Sequence, residues 1–232
     1  MRNLIIGDIH GMYDRMISAL SSSGFNPEED NLYAVGDFCD RGPEPIKVLD
    51  YLMSLPHFFP VAGNHDMWLY GYLCGFGPES IWLDPRNGGM ATYSVFKDLD
   101  ETRKTQIRDW YGSLPFIRTT EKFIILHAGP PSSFDYLEGI TLAKAFKIRR
   151  LIRKYPSYVH DAVWDRDYIR AAINDCGEPV KTDKTIICGH TPLEKVFHSD
   201  KYHITCIDTG SFVEEGCITV MDMDTGELST GK

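Results

Sequence analysis

Five short segments of this chain share one grammar: a side chain able to bind a metal stands beside a glycine, usually just after an apolar run. They are Gly-Asp-Ile-His-Gly at Gly7–Gly11, Gly-Asp-Phe-Cys-Asp-Arg-Gly at Gly36–Gly42, Gly-Asn-His-Asp at Gly63–Asp66, His-Ala-Gly at His127–Gly129 and Gly-His-Thr at Gly189–Thr191. One such tag alone would be a strand-to-helix turn with a capping acid. Five of them within 232 residues predict a single two-metal site assembled from five strand ends.

The runs before the tags support that reading. Leu4-Ile5-Ile6, Leu32–Val35 and Phe58–Ala62 read as strands, and the first of these reads as buried on both faces. Tyr13–Ser22 and Pro45–Leu55 between them carry apolar residues at helical spacing, and Met67–Leu73 starts the next helix. This βαβαβα pattern predicts an α/β fold with parallel strands and ligands at their carboxyl ends. The stretch Cys74–Asn87 reads as a loop, Gly88–Leu99 and Glu101–Ser113 as helices, and Phe116–Thr119 with Phe123–Leu126 as a hairpin. Helices are expected near Thr141–Lys154 and Asp167–Asp175. Strands are expected at Lys184–Cys188, Val196–His198, Tyr202–Ile207 and Cys217–Met221. A parallel half followed by a β-rich half suggests two mixed β-sheets packed together and flanked by helices. No linker or repeat divides 1–232, so one domain is expected.

Composition narrows the partners. A 43% hydrophobic and 25% charged chain is an ordinary globular one, and its net charge of −9 offers no basic field for a nucleic-acid backbone. Lys147, Arg149, Arg150, Arg153 and Lys154 form a basic cluster, read as a solvated helix face rather than a rim that draws in anions. The six cysteines form no CxxC pair and several sit in apolar runs, which points to a reducing compartment without disulfides. Arg2-Asn3 leads at once into Leu4-Ile5-Ile6, so no leader is expected, and no apolar run reaches membrane-spanning length. A cytoplasmic protein is the expectation, with no membrane partner; the oligomeric state stays open, monomer included.

The tags carry a mixed donor set of carboxylate, imidazole and amide, suited to divalent metals that hydrolyse phosphates. Asp8 and His10 stand two apart and can point the same way; Asp37 can bridge two ions; Asn64 offers an amide oxygen; His127 and His190 complete a second ion. Two such ions would share a water and bring its pKa towards neutrality. His65 suits a general acid, Asp40 can orient it, and Arg41 offers a fork for phosphate oxygens.

With those residues laid out, the chain resembles the phosphoprotein phosphatase family of metallophosphoesterases, whose signature matches GDIHG, GDFCDRG and GNHD in order, with HAG and GHT as later motifs. Asn87-Gly88-Gly89, Val163-Trp164-Asp165-Arg166 and Ile207-Asp208-Thr209-Gly210 resemble its small bacterial and lambda-phage branch. The resemblance implies that Asp8, His10 and Asp37 hold one ion, and that Asp37, Asn64, His127 and His190 hold the other. It implies His65 with Asp40 as the acid, and Arg41 and Arg166 on the phosphoryl oxygens. The ions would be manganese first, with iron or zinc tolerated. The reaction would be in-line attack of a metal-bridging hydroxide on a phosphate monoester, with a phosphoserine or phosphothreonine protein, or a small phosphate ester, as substrate.

Two rivals are carried forward. Symmetrical bis(5'-nucleosyl)-tetraphosphatases of the same family share most motifs, but their second motif lacks the aspartate that stands here as Asp40. A non-catalytic scaffold should have lost ligands, and none is missing. Cys39 is read as a packed side chain, Arg86 as solvated, Asp208 as a buried hydrogen-bonding residue, and His57, His160, His198 and His203 as surface or packing residues.

Overall fold

The computed structural model describes residues 1–152 and 154–232. Its ten strands form two five-stranded sheets. Strands β1 (Asn3–Ile6), β2 (Asn31–Ala34) and β3 (Phe58–Pro60) run parallel in the first sheet. In chain order follow β4 (Arg118–Thr119), β5 (Phe123–Ile125), β6 (Thr185–Cys188), β7 (Phe197–Ser199), β8 (Ile204–Cys206), β9 (Ile218–Asp222) and β10 (Leu228–Gly231). The sheet orders are β10-β9-β1-β2-β3 and β4-β5-β6-β8-β7. Each sheet thus has three parallel strands, β1-β2-β3 in one and β5-β6-β8 in the other, with antiparallel strands beside them. This is the expected pair of mixed sheets.

Alternation along the strands explains the layers. Ile5, Val35, Val61, Ile125, Ile187, Ile207 and Met221 come from both sheets and pack into one cluster between them. Their neighbours Leu4, Ile6, Leu32, Ala34 and Ile186 point the other way, into the core shared with the helices. Both faces are therefore buried, which is why these strands read as continuous apolar runs. Each such aliphatic side chain contributes about 1.5–3 kcal/mol on burial.

The helices among the described residues are α1 (Tyr13–Ser22), α2 (Pro45–Ser54), α3 (Asn64–Gly71), α4 (Ser80–Leu83), α5 (Gly89–Phe96), α6 (Glu101–Ser113), α7 (Leu142–Ile152), α8 (Ser157–Trp164) and α9 (Asp167–Ile173). Several begin where the sequence supplies a start signal: Pro45 opens α2, and the Asp100 carboxylate accepts from the Arg103 amide at 2.9 Å to open α6.

Four expectations need correcting. Cys74–Asn87 is not all loop: it takes in the end of a π-type turn at Tyr72–Phe76 and the one-turn helix α4, whose Trp82 is fully buried. Gly75, Gly77 and Pro78 punctuate the stretch and hide that turn. Helix α8 was not expected, although Val159, Ala162 and Val163 bury one face of it at helical spacing. Strand β10 is a polar edge strand whose only buried residue is Gly231, so no apolar alternation announces it. Helix α3 starts at Asn64, three residues before Met67, which places Asn64 and His65 in its first turn.

The basic cluster also differs from its reading as a solvated face. Arg149 is partly buried, donates to Glu79 and to the Tyr155 hydroxyl at 3.0 Å each, and lies over the rings of Phe76, Phe146 and Tyr155. Lys147 and Arg150 are exposed, as expected, and Arg153 lies outside the described residues.

One exposed-to-buried ion pair ties the start of β1 to the residue before β2. Arg2 Nη2 donates to Asp30 Oδ2 at 2.6 Å and to the Gly24 carbonyl at 2.7 Å, and the Asn26 amide donates to the same carboxylate. The hydrogen bond from Arg2 holds the Asp30 carboxyl down at about 2. A carboxyl depressed on folding stabilises above its unfolded pKa, and that stabilisation is lost as pH falls through the folded value. Asp30→Asn should therefore cost about 1–2 kcal/mol at pH 7, a figure reduced for the half-exposed arginine. Urea melts should show wild type and variant converging as pH falls from 4 towards 2; a cost that persists unchanged at about pH 2 would contradict this.

Candidate metal centre

The carboxyl ends of the six parallel strands all feed one buried cluster. After β1 come Asp8 and His10, after β2 Asp37, after β3 Asn64, after β5 His127, after β6 His190, and after β8 Asp208. None is more than 6% exposed. Asp37 sits at the centre: its Oδ2 lies 3.3 Å from His127 Nε2, 3.6 Å from His10 Nε2 and 4.0 Å from His65 Nε2. Two groups of potential ligand atoms share that aspartate, His10–Asp37–His65 and Asp37–His127–His190.

Asn64 joins the second group. Its Oδ1 stands 3.0 Å from both His127 Nε2 and His190 Nδ1. Asp8 joins from the first side: its Oδ2 is 3.9 Å from His10 Nε2, and the His190 amide donates to the same oxygen at 3.1 Å. The sequence reading paired Asp8 with His10 and Asp37. In the structure His65 also approaches that group, but its other ring nitrogen is engaged: Nδ1 lies 2.6 Å from Asp40 Oδ2.

Backbone groups fix which nitrogen each histidine offers. The Cys39 carbonyl stands 3.0 Å from His10 Nδ1 and the Val35 carbonyl 2.7 Å from His127 Nδ1, so in both rings Nε2 is the one that faces Asp37. The local backbone is bent to do this. Seven non-glycine residues have positive φ among the described residues, and five of them are His10, Asp37, Asp40, Arg41 and His190. Asp and His tolerate that region better than most residues, yet each such position costs on the order of 1–3 kcal/mol. Strain of this kind persists only where the surroundings over-determine it.

Asp66 supplies part of that hold. Its carboxylate accepts from the Gly63 and Asp37 amides at 2.8 Å each and from the Phe38 amide at 3.1 Å, locking the turn after β2 to the turn after β3. Burial and then the charge of Asp37 push its carboxyl up to about 7, against the pull of those three donors. Two glycines leave room for carboxylates: a Cβ on Gly63 would collide with Asp37 Oδ1, and one on Gly189 with Asp8 Oδ1.

The electrostatics suit a cation. Burial lowers His10 well below its usual range and takes His190 down to about 2, so both rings are neutral and ready to ligate. Burial opposes ionisation of Asp37, but His127 and His65 outweigh it and hold the carboxyl low. The converse acts on His127, where Asp37 overcomes burial and raises the ring. Asp8 is raised by burial, then by Asp208 and Asp37, and Asp208 is raised by burial to about 6. Three carboxylates crowded together call for positive charge between them, and neutral imidazoles with an amide oxygen complete a donor set that fits divalent first-row ions.

Arginines line the rim. Arg41 presents Nη1 to His10 Nε2 and Nη2 to His65 Nε2, the latter at 3.3 Å, and its guanidinium lies 3.9 Å from the centroid of Phe212. Arg166, half-buried, donates from Nε to His190 Nε2 and from Nη2 to the His190 carbonyl, both at 3.2 Å. All ten site residues expected from the sequence thus meet in one place. Cys39 and Asp208 are buried, and Arg86 pairs with Asp84 in the open, as expected. His160 and His198 are exposed, and His57 and His203 partly so. Sequence reasoning missed the jobs of Asp66, Trp82, Thr92 and Phe212; of these only Asp66 lies inside a tag.

Comparison with known proteins agrees with this geometry. The chain belongs to the calcineurin-like phosphoesterases, whose family profile matches residues 1–213. It is a metallophosphoesterase, a hydrolase with a buried His/Asp cluster of two groups fit for a binuclear metal site. Serine/threonine-protein phosphatase 2 of Escherichia coli (strain K12) is 31% identical over 217 residues, covering 89% of this chain and 86% of that protein. A symmetrical bis(5'-nucleosyl)-tetraphosphatase of Erwinia tasmaniensis is 33% identical over 163 residues, covering 69% of this chain and 56% of that protein. Among solved structures, a Saccharomyces cerevisiae protein serine/threonine phosphatase with similarity to human phosphatase PP5 superposes with a TM-score of 0.65 at 15% identity, covering all of this chain and 80% of the other. No helix among the described residues is long and apolar enough to cross a membrane.

Proposed function

We propose that this chain is a phosphomonoesterase of the serine/threonine protein phosphatase kind. Asp8, His10 and Asp37 would hold one divalent ion, and Asp37, Asn64, His127 and His190 the other, manganese being the ion to load first. Such a pair of ions supplies an activated water and neutralises charge on the phosphoryl group. The remaining work falls to protein side chains. Arg41, beside His10 and His65, and Arg166, beside His190, would grip phosphoryl oxygens. His65 would pass a proton from Nε2, the nitrogen nearest Arg41 and Asp37, to the leaving oxygen. Asp40 holds the ring in place through Nδ1.

The observation that carries this reading is the buried His65–Asp40 pair at 2.6 Å, aimed at the Asp37 oxygen shared by both ligand groups. An alkoxide leaving group needs that proton, whereas a phosphoanhydride leaves as a far weaker base. The fully buried Asp40 therefore supports ester cleavage. The second reading, a symmetrical bis(5'-nucleosyl)-tetraphosphatase, is favoured by the Erwinia tasmaniensis relative, of whose length the chain matches just over half. A phosphoserine or phosphothreonine protein is the proposed partner, and the free cysteines, three of them buried, suit a reducing compartment such as the cytoplasm.

Assaying a phosphoserine peptide and diadenosine tetraphosphate side by side on the manganese-loaded protein tests the reading. A kcat/KM at least about tenfold higher on the peptide supports it, a gap of about 1.4 kcal/mol. Faster cleavage of the dinucleotide would hand the site to the second reading.

A further inference from the structure

The segment between α3 and α6 supplies no ligand, yet it closes around the turn that bears Asp40 and Arg41. Trp82, fully buried on α4, donates from Nε1 to Asp40 Oδ2 at 2.7 Å. The Asp40 amide donates to the hydroxyl of Thr92, fully buried on α5, at 2.8 Å. The Arg41 amide donates to the Gly88 carbonyl at 3.0 Å. Asp40 and Arg41 both have positive φ, at 72° and 65°, so this turn is one that needs holding from outside. The interlock is tight: a Cβ on Gly88 would meet Arg41, and one on Gly89 would meet the Trp82 ring.

The hydrogen bonds to Asp40 are lopsided. Trp82 Nε1 and His65 Nδ1 both use Oδ2, while the buried Oδ1 makes no hydrogen bond among the described residues. The orientation of the carboxylate, and through it of the His65 ring, hangs on that one shared oxygen. Tyr72 and Tyr93 pack around Trp82, and Arg149 pins the far side of the segment by its bond to Glu79 and its contact with Phe76.

We propose that Trp82, seconded by Thr92, is a positioning residue for proton delivery: it fixes the Asp40 carboxylate and so the angle at which His65 faces the leaving oxygen. This rests on the acid role of His65 argued above. Trp82→Phe keeps the ring and removes the donor. Its kcat on a phosphoserine peptide should fall about tenfold, with KM and bound metal unchanged. Turnover of p-nitrophenyl phosphate, whose leaving group needs no proton, should stay within about twofold of wild type. Thr92→Val should give the same selective loss and Thr92→Ser should restore it, a test that stands even if the tryptophan variant fails to fold. Added to His65→Asn, Trp82→Phe should cost nothing further.

Equal loss on both substrates, no loss on either, or full additivity with His65→Asn would overturn the proposal. The single variant His65→Asn separates the two levels of the argument. If it loses both substrates equally, the acid reading falls. If it is selective while Trp82→Phe and Thr92→Val are not, only the positioning role falls.

Discussion

His65→Asn should lower kcat on a phosphoserine peptide by about 10²–10³-fold while p-nitrophenyl phosphate turnover and metal content barely change. That loss corresponds to roughly 3–4 kcal/mol of transition-state stabilisation. The selectivity follows from the acid role proposed for His65. An alkoxide is too strong a base to leave readily without a proton, whereas nitrophenolate is not, so only the first reaction needs a proton from His65. Asparagine keeps a polar group of similar reach and disturbs little else, because the His65 amide, not its ring, donates to Asp37 Oδ1 at 3.0 Å. The measurement is kcat for both substrates with metal content determined on the same preparation. Equal loss on the two would mean that His65 shapes the site rather than protonates the leaving group.

Asp37→Asn should be worse, with hydrolysis of every phosphoester reduced by on the order of 10³-fold or more. One Asp37 oxygen stands within 3.3–4.0 Å of three imidazole nitrogens, so its charge is common to both ligand groups. An amide retains the hydrogen bond to the His65 backbone but removes the anion that makes a bridge between two cations favourable. Elemental analysis should find the variant depleted of both ions, with an unchanged far-UV circular dichroism spectrum because the strand scaffold does not depend on them. Retention of one full ion would show that the two groups are independent, and the bridging role would be wrong.

Much of this was legible in the sequence because the site is made of strand ends. Leu4-Ile5-Ile6 followed by Gly-Asp announces a parallel strand and a candidate ligand in one stroke, and the same holds before Asp37, Asn64, His127 and His190. The parallel order of β1-β2-β3 follows from the helices between them. What stayed hidden depends on contacts made far along the chain. Trp82 sits in a Gly- and Pro-punctuated stretch that reads as loop, and its bond to Asp40 spans 42 residues. Thr92 is an ordinary helix residue until Asp40 is laid against it. Phe212 lies beyond the last tag, and nothing local says that Arg41 will stack on it. The backbone strain at His10, Asp37, Asp40, Arg41 and His190 is likewise invisible, since residue type alone does not say which of them turns left-handed. Arg149 illustrates the opposite error: a run of basic residues reads as a wet face, while the rings of Phe76, Phe146 and Tyr155 draw one member of it inward.

Stepwise reconstitution counts the ions that the Asp37 cluster needs. Protein stripped of metal and titrated with manganese should gain p-nitrophenyl phosphatase activity up to a break at two equivalents per chain. Full activity at one equivalent, or activity that survives stripping, would contradict a site in which Asp37 is shared between two ions.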